Sequence, residues 1–466
     1  MLIEKMNAFV WGVPALVLLL GVGGYLTLQT GFAQLRLLVP SLKSFVRQLT
    51  GSEEGKGSSQ FRALCTALAA TVGTGNIAGV AGAISIGGPG AVFWMWVSGF
   101  IGMATKYAEA ALAVRYRHHN GDGEFIGGPM FIIRQGLSSK YMPLAGIYSF
   151  FGIIAAMGMG NAAQINAVIG AVNAAAESYA VEFGPGLNAG IGLVMALMVL
   201  AMVSGGARKI GSAAELLVPF ASLAYILICL GAVVLRFDCL GQVFMDILIG
   251  AFTPEAVTGG AVGSLTIALR MGISRGVFSN EAGMGTAAMA HAGAEVEHPA
   301  QQGMMGIVEV FIDTIVICTM TALVILISDI PIAYGSAAGA ELTATALSGC
   351  YGPWVTVLLS LCLCCFAFAT ILGWGLYAGR CIEYLFGTIR WRYFAIVQAA
   401  GVFLGAVLET GVIWSFAEMV NGLMVIPNLA ALLLLSKQVK SITDEYYHHI
   451  STRTKIHAGF RKGNML

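Results

Sequence analysis

A short polar interruption lies inside an apolar segment that is long enough to cross a membrane, residues 61–86. Its centre, Val72-Gly73-Thr74-Gly75-Asn76, forms a poor α-helix, because each glycine costs roughly 1 kcal/mol relative to alanine. Irregular backbone at membrane depth persists only where protein or a water-filled cavity surrounds it. The stretch therefore predicts a discontinuous helix whose freed carbonyls and amides bind an ion and a charged solute. A closely packed helix, whose small residues let a neighbour approach, explains the glycines equally well.

The acid content of this segment bears on which ion it could bind. Residues 61–86 contain no aspartate or glutamate. A cation there would be coordinated by backbone carbonyls and by the side-chain oxygens of Thr71, Thr74 or Asn76, which are ligands that hard cations prefer. Such a site favours sodium over a transported proton, since a proton needs a group that titrates.

A second interrupted segment, residues 262–290, is also rich in glycine. Its charged residues would be costly in contact with lipid, so they must face protein or a cavity. The segment therefore predicts a second discontinuous helix. Its glycines are Gly272, Gly276, Gly283 and Gly285, and its charged residues are Arg270, Arg275 and Glu281.

Polar and aromatic side chains on other apolar segments could complete a solute site. Asn161 and Gln164 are three residues apart and share one helical face. As amides at membrane depth they either bind a polar solute or join neighbouring helices by hydrogen bonds. Thr370 and Trp374, four residues apart, also share a face. Trp374 either forms the wall of a pocket or packs between helices, and the same two interpretations hold for Phe278.

Four further charged residues lie within apolar segments: Lys106, Glu109, Glu309 and Asp313. An unpaired charge at this depth would be too costly, so we expect these residues to pair with one another or with Arg275. A structural role is the simpler interpretation for them.

The composition indicates the class of protein in which these residues lie. Of the 466 residues, 57% are hydrophobic and 11% are charged, and the mean hydropathy is +0.81. These values are typical of a polytopic membrane protein and exclude a soluble globular domain. No basic patch indicates nucleic-acid binding, and no cysteine–histidine spacing resembles a metal site. Cys239 and Cys350 fall in predicted outer loops, where a disulfide between them is possible.

Eleven apolar segments reach the length of about 20 residues that a membrane-spanning helix needs. Residues 30–50 differ, because apolar residues alternate there with arginine and lysine, as in an amphipathic helix on the membrane surface. The eleven segments are residues 8–28, 61–86, 91–115, 145–176, 187–204, 212–236, 262–290, 303–327, 353–382, 393–410 and 413–435.

Lysine and arginine residues are distributed unevenly between the connecting segments. With the N-terminus outside, the inner segments and the C-terminal tail hold 19 of them and the outer segments hold two. Because cytoplasmic loops are enriched in these residues, the asymmetry predicts an outer N-terminus and a cytoplasmic C-terminus.

The positions of the two interrupted segments predict an internal repeat. With the first span set aside, they are the first and sixth of the remaining ten, so the two sets of five have opposite orientations. We therefore predict an all-α polytopic membrane protein with a five-plus-five inverted repeat after an extra N-terminal helix. The predicted units are residues 1–59 (first helix and amphipathic segment), 60–236 and 262–436 (the two repeats) and 437–466 (a basic tail).

Several longer motifs resemble those of the bacterial and archaeal alanine or glycine:cation symporter family. They are GTGNIAGVAGAISIGGPG at residues 73–90, GGPM at 127–130, GGARKIG at 205–211, RGVFSNEAGMGTAAMAHA at 275–292 and GWGLYAGRC at 373–381. The resemblance extends over nearly the whole chain. It implies the leucine-transporter fold of the amino-acid–polyamine–organocation superfamily. It also implies sodium-coupled uptake of alanine or glycine across the bacterial or archaeal plasma membrane.

The same resemblance implies where the ligands bind. The carboxylate of the amino acid would lie at the first break, and its ammonium near the second break and the amides of the third core span. Sodium, the coupling ion, would lie where the first core span meets the eighth, and no cofactor is implied. The partners are thus the amino acid, sodium and the lipid bilayer. The implied substrate residues are Thr74, Gly75, Asn76, Asn161, Gln164, Gly276, Phe278, Thr370 and Trp374, and the implied sodium residues are Ala69, Val72, Phe366, Ala369 and Thr370.

Other functions stay open at this point. A carrier of the same fold could couple protons or another cation to a different small zwitterion. A membrane-embedded enzyme is disfavoured, because the chain has no HExxH or GxSxG motif. A channel is disfavoured as well, because the polar residues cluster at two helix breaks instead of forming a continuous stripe.

Arg62 and Glu383 form the last hypothesis from the sequence. Both are predicted on the cytoplasmic side of the site, at similar depth, where a pair between them would act as an inner gate. A partly exposed ion pair contributes only about 0–1 kcal/mol, so a gate must be partly dry. Alternatively, Glu383 pairs with Arg380 or Arg390 and Arg62 faces lipid headgroups.

Overall fold

The computed structural model describes residues 10–50, 56–121, 123–181, 184–262, 264–408 and 411–463. Within these residues the only strands are β1 (His118–His119) and β2 (Phe125–Ile126), which pair antiparallel. The first half of the chain forms the helices α1 (Val13–Gln29), α2 (Ala33–Leu49), α3 (Lys56–Thr71), α4 (Val80–Gly87), α5 (Gly90–Arg115), α6 (Pro129–Gly136), α7 (Met142–Met157), α8 (Ala163–Glu177), α9 (Pro185–Val203) and α10 (Gly206–Leu235).

The helices of the second half of the chain range in length from 4 to 32 residues. The described residues include three π-helical segments, Gly75–Gly79, Gly158–Ala162 and Phe311–Cys318. The second and third each connect two helices directly, whereas residues 72–74 separate the first from α3. The remaining helices are α11 (Leu240–Phe252), α12 (Pro254–Thr258), α13 (Leu265–Asn280), α14 (Ala288–His291), α15 (Pro299–Val310), α16 (Thr319–Ile327), α17 (Ala340–Tyr351), α18 (Val355–Phe386), α19 (Trp391–Val407), α20 (Gly411–Leu434) and α21 (Ser436–Gly463).

Several of these helices are long and apolar enough to cross a membrane. Within the described residues, five helices meet this condition, and the number rises to eight if each of three bent helix pairs is one span. The bent pairs are α1 with α2 (80°), the two parts of the first interrupted segment (54°) and α20 with α21 (59°). The chain is therefore a mostly helical, multi-pass membrane protein.

The outer surface of the helices supports this conclusion. Leu197 on α9 is 56% exposed, and Leu216 and Phe220 on α10 are 74% and 67% exposed. Large apolar side chains exposed side by side are destabilising in water and favourable in lipid. The amphipathic character predicted for residues 30–50 falls on α2, where Leu35 and Val46 are exposed and Leu37 is buried.

Both predicted interruptions are present, and they differ in form. The first consists of α3, the π-helical segment Gly75–Gly79 and α4. The second begins where α13 ends at Asn280. Glu281, Gly283 and Gly285 then have positive φ values of 53°, 95° and 78°, which only glycine adopts without strain as a rule. The chain there runs as irregular backbone until the short helix α14.

Close packing of α5 against α13 holds the second interruption in place. A β-carbon at Gly272 would lie 2.2 Å from the carbonyl oxygen of Ala91, and one at Gly276 would lie 2.1 Å from Ser98 Oγ. Only glycine fits at such separations, as at other small-residue helix contacts in membranes. All nine cysteines are free thiols, including Cys239 and Cys350, so the possible disulfide is not formed.

Candidate functional site

The two interruptions contact each other through the side chain of Asn76, which is fully buried. Its Oδ1 accepts a hydrogen bond from the backbone amide of Gly73 (2.8 Å), so the side chain closes the first break locally. Its Nδ2 donates to Ser279 Oγ (2.9 Å), one residue before the end of α13. Asparagine often satisfies backbone groups that a helix leaves open, and here it also joins the two breaks.

The third side of the site is α18, a continuous helix that passes the first break. A β-carbon at Gly73 would lie 2.9 Å from Thr370 Oγ1, and one at Gly373 would lie 2.9 Å from Ala70 Cβ. Trp374, one turn beyond Thr370, packs on Gly160, where a β-carbon would lie 2.3 Å from Trp374 Cβ. Glycines at these three contacts therefore bring the helices together around the break.

A small cavity of about 30 Å³ lies where these elements meet. A water molecule needs about 10–15 Å³ measured in this way, so the cavity holds about two waters. Six of the nine predicted substrate residues line it. Its walls are formed by Ala70, Thr71, Gly73, Thr74, Gly75, Met159, Gln164, Phe278, Glu281, Thr370, Trp374 and Asn421.

The other three predicted substrate residues lie outside the cavity wall. Asn76 donates hydrogen bonds to Ser279 and to Asp313 of the π-helical segment Phe311–Cys318. Asn161 Nδ2 donates to the carbonyl of Gln398 (3.0 Å) on α19, which is the helix-joining interpretation of that amide. Gly276 faces α5.

The residues predicted for sodium are buried together at the contact between α3 and α18. Thr370 is only 3% exposed, and its Oγ1 has no hydrogen-bond partner within the described residues. This hydroxyl oxygen is therefore free to coordinate a ligand or an ion. The predicted set is Ala69, Val72, Phe366, Ala369 and Thr370, each no more than 3% exposed.

Two buried polar residues of the cavity wall, Glu281 and Asn421, were not predicted to bind. Glu281 is 5% exposed, and its Oε2 accepts a hydrogen bond from Thr286 Oγ1 (2.5 Å). Asn421 on α20 is 3% exposed, and its Oδ1 has no hydrogen-bond partner in the described part of the chain. The signal for both was available: a carboxylate and an amide within apolar segments, the same signal that indicated Asn161 and Gln164.

The buried charges near the second break pair only in part as expected. Lys106 Nζ lies 3.2 Å from Glu309 Oε1, and the other oxygen of Glu309 lies 2.8 Å from His291 Nε2. His291 Nδ1 in turn contacts Gln302 Nε2 at 2.6 Å. This chain of four buried side chains fastens α14 to α5 and α15.

Glu109 has a different role from the predicted ion pair. Its Oε1 accepts hydrogen bonds from the backbone amides of Gly283 (3.0 Å) and Gly285 (3.1 Å). It also accepts one from Asn428 Nδ2 (2.7 Å), which reaches across from α20. The carboxylate thus satisfies backbone donors that the irregular segment leaves without helical partners.

Two larger cavities flank the central one. One, of about 230 Å³, is lined mainly by alanines of α8 and α17 and reaches Thr74, which also lines the central cavity. The other, of about 370 Å³, lies on the predicted cytoplasmic side and is lined by Arg62, Thr66 and Arg380. The larger cavities are thus near the central one, and one of them shares Thr74 with its wall.

Arg62 and Glu383, both within the described residues, bind other partners than each other. Arg62 Nε lies 2.9 Å from Glu215 Oε2 on α10. Glu383 Oε2 lies 2.8 Å from Arg380 Nη1, and Arg380 also pairs with Glu124 (3.0 Å) beside β2. The expected Arg62–Glu383 pair is therefore not formed, and the alternative pair of Glu383 with Arg380 is present instead. The sequence argument gave the two groups a similar depth, but their directions around the helix axes bring them to different neighbours.

The fold and the site together are typical of a helical membrane transporter. The helices are long enough to cross a membrane, and a polar cavity lies at two helix breaks with wider cavities near it. A sequence profile of the sodium:alanine symporter family matches residues 1–459, and the chain belongs to that family.

Individual relatives agree with this assignment. The sodium/alanine symporter AgcS of Methanococcus maripaludis is 42% identical over 96% of each chain. An uncharacterized transporter of Haemophilus influenzae is 40% identical, again over 96% of each chain. A probable sodium/glutamine symporter, GlnT of Bacillus subtilis, is 35% identical over 94% of this chain and 89% of its own. Sodium-coupled symport of amino acids is thus the activity of the family, and the names of its members differ in the amino acid.

Proposed function

We propose that this protein takes up a small neutral amino acid, alanine or glycine, together with sodium by alternating access. The observation that carries the proposal is the cavity of about 30 Å³ at the meeting point of the two helix breaks. Its small size favours a small amino acid over glutamine. In this proposal, the two wider cavities are parts of the paths between the site and the two faces of the membrane.

Recognition of the zwitterion follows from the groups in the wall. The first break offers backbone at Thr74 and Gly75, and Gly75 has no side chain to shield it. Backbone amides at a helix break bind carboxylates well. The ammonium is assigned to Glu281 and Gln164, which line the cavity, and not to Gly276, which faces α5.

Selectivity by size is assigned to the aromatic residues. Trp374 and Phe278 narrow the cavity, and Thr370 presents an unpartnered hydroxyl beside them. Because the cavity holds about two waters, binding of an amino acid must displace at least one of these side chains. A larger substrate would need a larger displacement.

Sodium is assigned to the contact between α3 and α18, at Ala69, Val72, Phe366, Ala369 and Thr370. The unpartnered hydroxyl oxygen of Thr370 supports this position. Since Thr370 also lines the substrate cavity, an ion there would stabilise the closed contact of α3 with α18 around the substrate.

The membrane arrangement in the proposal has an outer N-terminus and a cytoplasmic C-terminus. It also has eleven spans and two five-helix repeats, residues 60–236 and 262–436. One interrupted helix in each repeat and the contact between Asn76 and Ser279 support the repeat, and the distribution of lysine and arginine supports the orientation.

A proton-coupled carrier of a different small zwitterion is the alternative. The observation that favours it is the carboxylate of Glu281 in the cavity wall, since this group could carry a proton when no ammonium is present.

Uptake of radiolabelled alanine into proteoliposomes tests the proposal. We expect accumulation with an inward sodium gradient, none with choline in place of sodium, and little change on addition of a proton uncoupler. Uptake that persists in choline and collapses with the uncoupler would favour the proton-coupled alternative. Downhill flux without accumulation under any gradient would indicate a channel.

A further inference from the structure

A groove of about 460 Å³ lies beside the amphipathic helix α2. This volume is within the range of about 300–1,000 Å³ that is typical of small-molecule sites. One wall of the groove is α2, and the opposite wall is the segment between α14 and α15. Among the described residues, none that lines the groove also lines the central cavity, so the groove is a separate site.

The two walls of the groove carry opposite charges. Lys43 and Arg47 of α2 line one wall, and Glu295 and Glu297 line the other. Residues four apart on a helix lie side by side, so both basic side chains can reach the same anionic group. No described carboxylate forms an ion pair with Lys43 or Arg47. The described side chains therefore suit a ligand that has both a negative and a positive group.

Hydrogen bonds of Gln60, which lines the groove from α3, hold the two walls together. Its Oε1 accepts a hydrogen bond from Gln48 Nε2 on α2 (2.8 Å), and its Nε2 donates to the backbone oxygen of Gln301 on α15 (2.8 Å). Gln301 Oε1 in turn accepts from the backbone amides of Glu297 and His298 (both 3.1 Å). The groove is thus built from three elements, one of which carries the first break.

The side of α2 next to the basic residues is apolar. Leu35, Val39 and Val46 share this side of the helix, and each is more than half exposed. Because α2 turns by 80° from α1, it lies along the membrane surface when α1 crosses the membrane. Val39 also lines the groove, so the groove opens towards the region where lipid chains contact α2.

We propose that this groove binds the headgroup of a zwitterionic phospholipid, phosphatidylethanolamine, whose acyl chains lie on the apolar side of α2. Lys43 and Arg47 bind the phosphate through charge-assisted hydrogen bonds, and Glu295 and Glu297 accept hydrogen bonds from the ammonium. The two carboxylates disfavour an anionic lipid, which would bring no positive charge to them. Phosphatidylcholine fits less well, since its nitrogen carries three methyl groups and no hydrogen to donate. The inference concerns lipid binding and does not depend on the transported solute or ion.

Titration of the purified full-length protein with single phospholipids, followed by native mass spectrometry, tests the inference. We expect the wild type to bind phosphatidylethanolamine about tenfold or more tightly than phosphatidylcholine or phosphatidylglycerol. Lys43→Gln combined with Arg47→Gln should weaken the binding of phosphatidylethanolamine by about the same factor. The matched control is Lys437→Gln combined with Lys440→Gln, which removes two exposed charges of α21 outside the groove and should leave the affinity unchanged.

Glu295→Gln combined with Glu297→Gln tests the other wall of the groove. This variant should bind phosphatidylethanolamine and phosphatidylcholine with nearly equal affinity, and an unchanged preference would overturn the inference. Equal wild-type affinities for these two lipids, or wild-type affinity after loss of both Lys43 and Arg47, would also overturn it. Tighter binding of phosphatidylglycerol would indicate a surface for anionic lipids instead. Equal binding of glycerophosphoethanolamine, which has no acyl chains, would indicate a soluble ligand, and either result excludes the proposed lipid.

Discussion

The two helix breaks of this protein are held by different kinds of group. At the first break, a neutral side chain, Asn76, binds the backbone of Gly73, and the chain continues directly into a π-helical segment. At the second break, seven residues of irregular backbone follow α13, and the carboxylate of Glu109 binds two of its amides. Both breaks expose backbone, but among the described residues a buried carboxylate accepts hydrogen bonds directly from the backbone amides at the second break, whereas at the first break Asn76 lies between the backbone and Asp313.

This difference indicates a division of roles. At the second break, the Glu109 carboxylate already accepts hydrogen bonds from two backbone amides, so few backbone donors remain for a ligand. The second break is therefore mainly a rigid support. At the first break, a single side-chain amide bonds to the backbone, and a ligand can replace it at a small cost in free energy. We therefore expect the first break to respond to substrate and ion, and the second break to keep its shape when they bind.

The largest effect is expected from the rigid support. Glu109→Ala leaves the amides of Gly283 and Gly285 and the side chain of Asn428 without their acceptor. Each buried donor without a partner costs about 1–3 kcal/mol. We expect little folded protein, measured as the monodisperse fraction in size-exclusion chromatography and as the melting temperature.

Glu109→Gln is the matched control, because glutamine keeps one acceptor oxygen. It should recover much of the folded fraction. Equal stability of Glu109→Ala and the wild type would show that the carboxylate does not hold the second break.

The next largest effect is expected at the first break. Gly75→Val should fold and insert but transport no alanine, because a branched side chain fills the space that the substrate carboxylate needs. Gly75→Ala is the control. A β-carbon there would lie 3.5 Å from Ser279 Cα and 3.7 Å from Phe278 Cδ1, which are ordinary contacts, so we expect reduced but measurable uptake. Normal uptake by folded Gly75→Val would remove the first break from the mechanism.

A smaller effect is expected at the wall that faces the first break. Trp374→Ala should weaken discrimination against larger amino acids, since an apolar pocket distinguishes substrates by about 1–3 kcal/mol per methylene. The measurement is competition of alanine uptake by serine, valine and leucine. Trp354→Ala, at a position that is 52% exposed, serves as the control. An unchanged competition profile in the folded variant would mean that Trp374 does not form the pocket wall.

The smallest effect is expected for the ion pair between α3, which carries the first break, and α10. The side chains of Arg62 and Glu215 are 40% and 28% exposed, so their ion pair contributes about 0–1 kcal/mol to the stability of this conformation. Arg62→Glu should change the rate of uptake less than about tenfold, which corresponds to about 1.4 kcal/mol. Combining it with Glu215→Arg should restore part of the rate. A double variant slower than either single variant would exclude a latch at this position.

The sequence predicted an interruption in both segments, because the energetic penalty of glycine in a helix is a local property. It placed the second one too early, since α13 continues through Gly272 and Gly276, where close contacts with α5 explain the glycines. It also placed six residues in the cavity, since helical spacing determines which side chains share a face. Contacts between distant segments were less accessible. Asn76 and Asp313 are 237 residues apart, and no local pattern relates them. Arg62 was assigned the wrong partner, because the rise along a helix gives depth but not the direction of a side chain.

The measurement that tests the central claim most directly is alanine binding to purified protein with sodium and with choline. The account holds that sodium and alanine bind to the same first break, so each must raise the affinity for the other by an equal factor. We predict that sodium lowers the dissociation constant of alanine by about tenfold or more in the wild type, and that Gly75→Val binds no alanine under either condition. Equal alanine affinity in sodium and choline, or wild-type binding by Gly75→Val, would contradict the account.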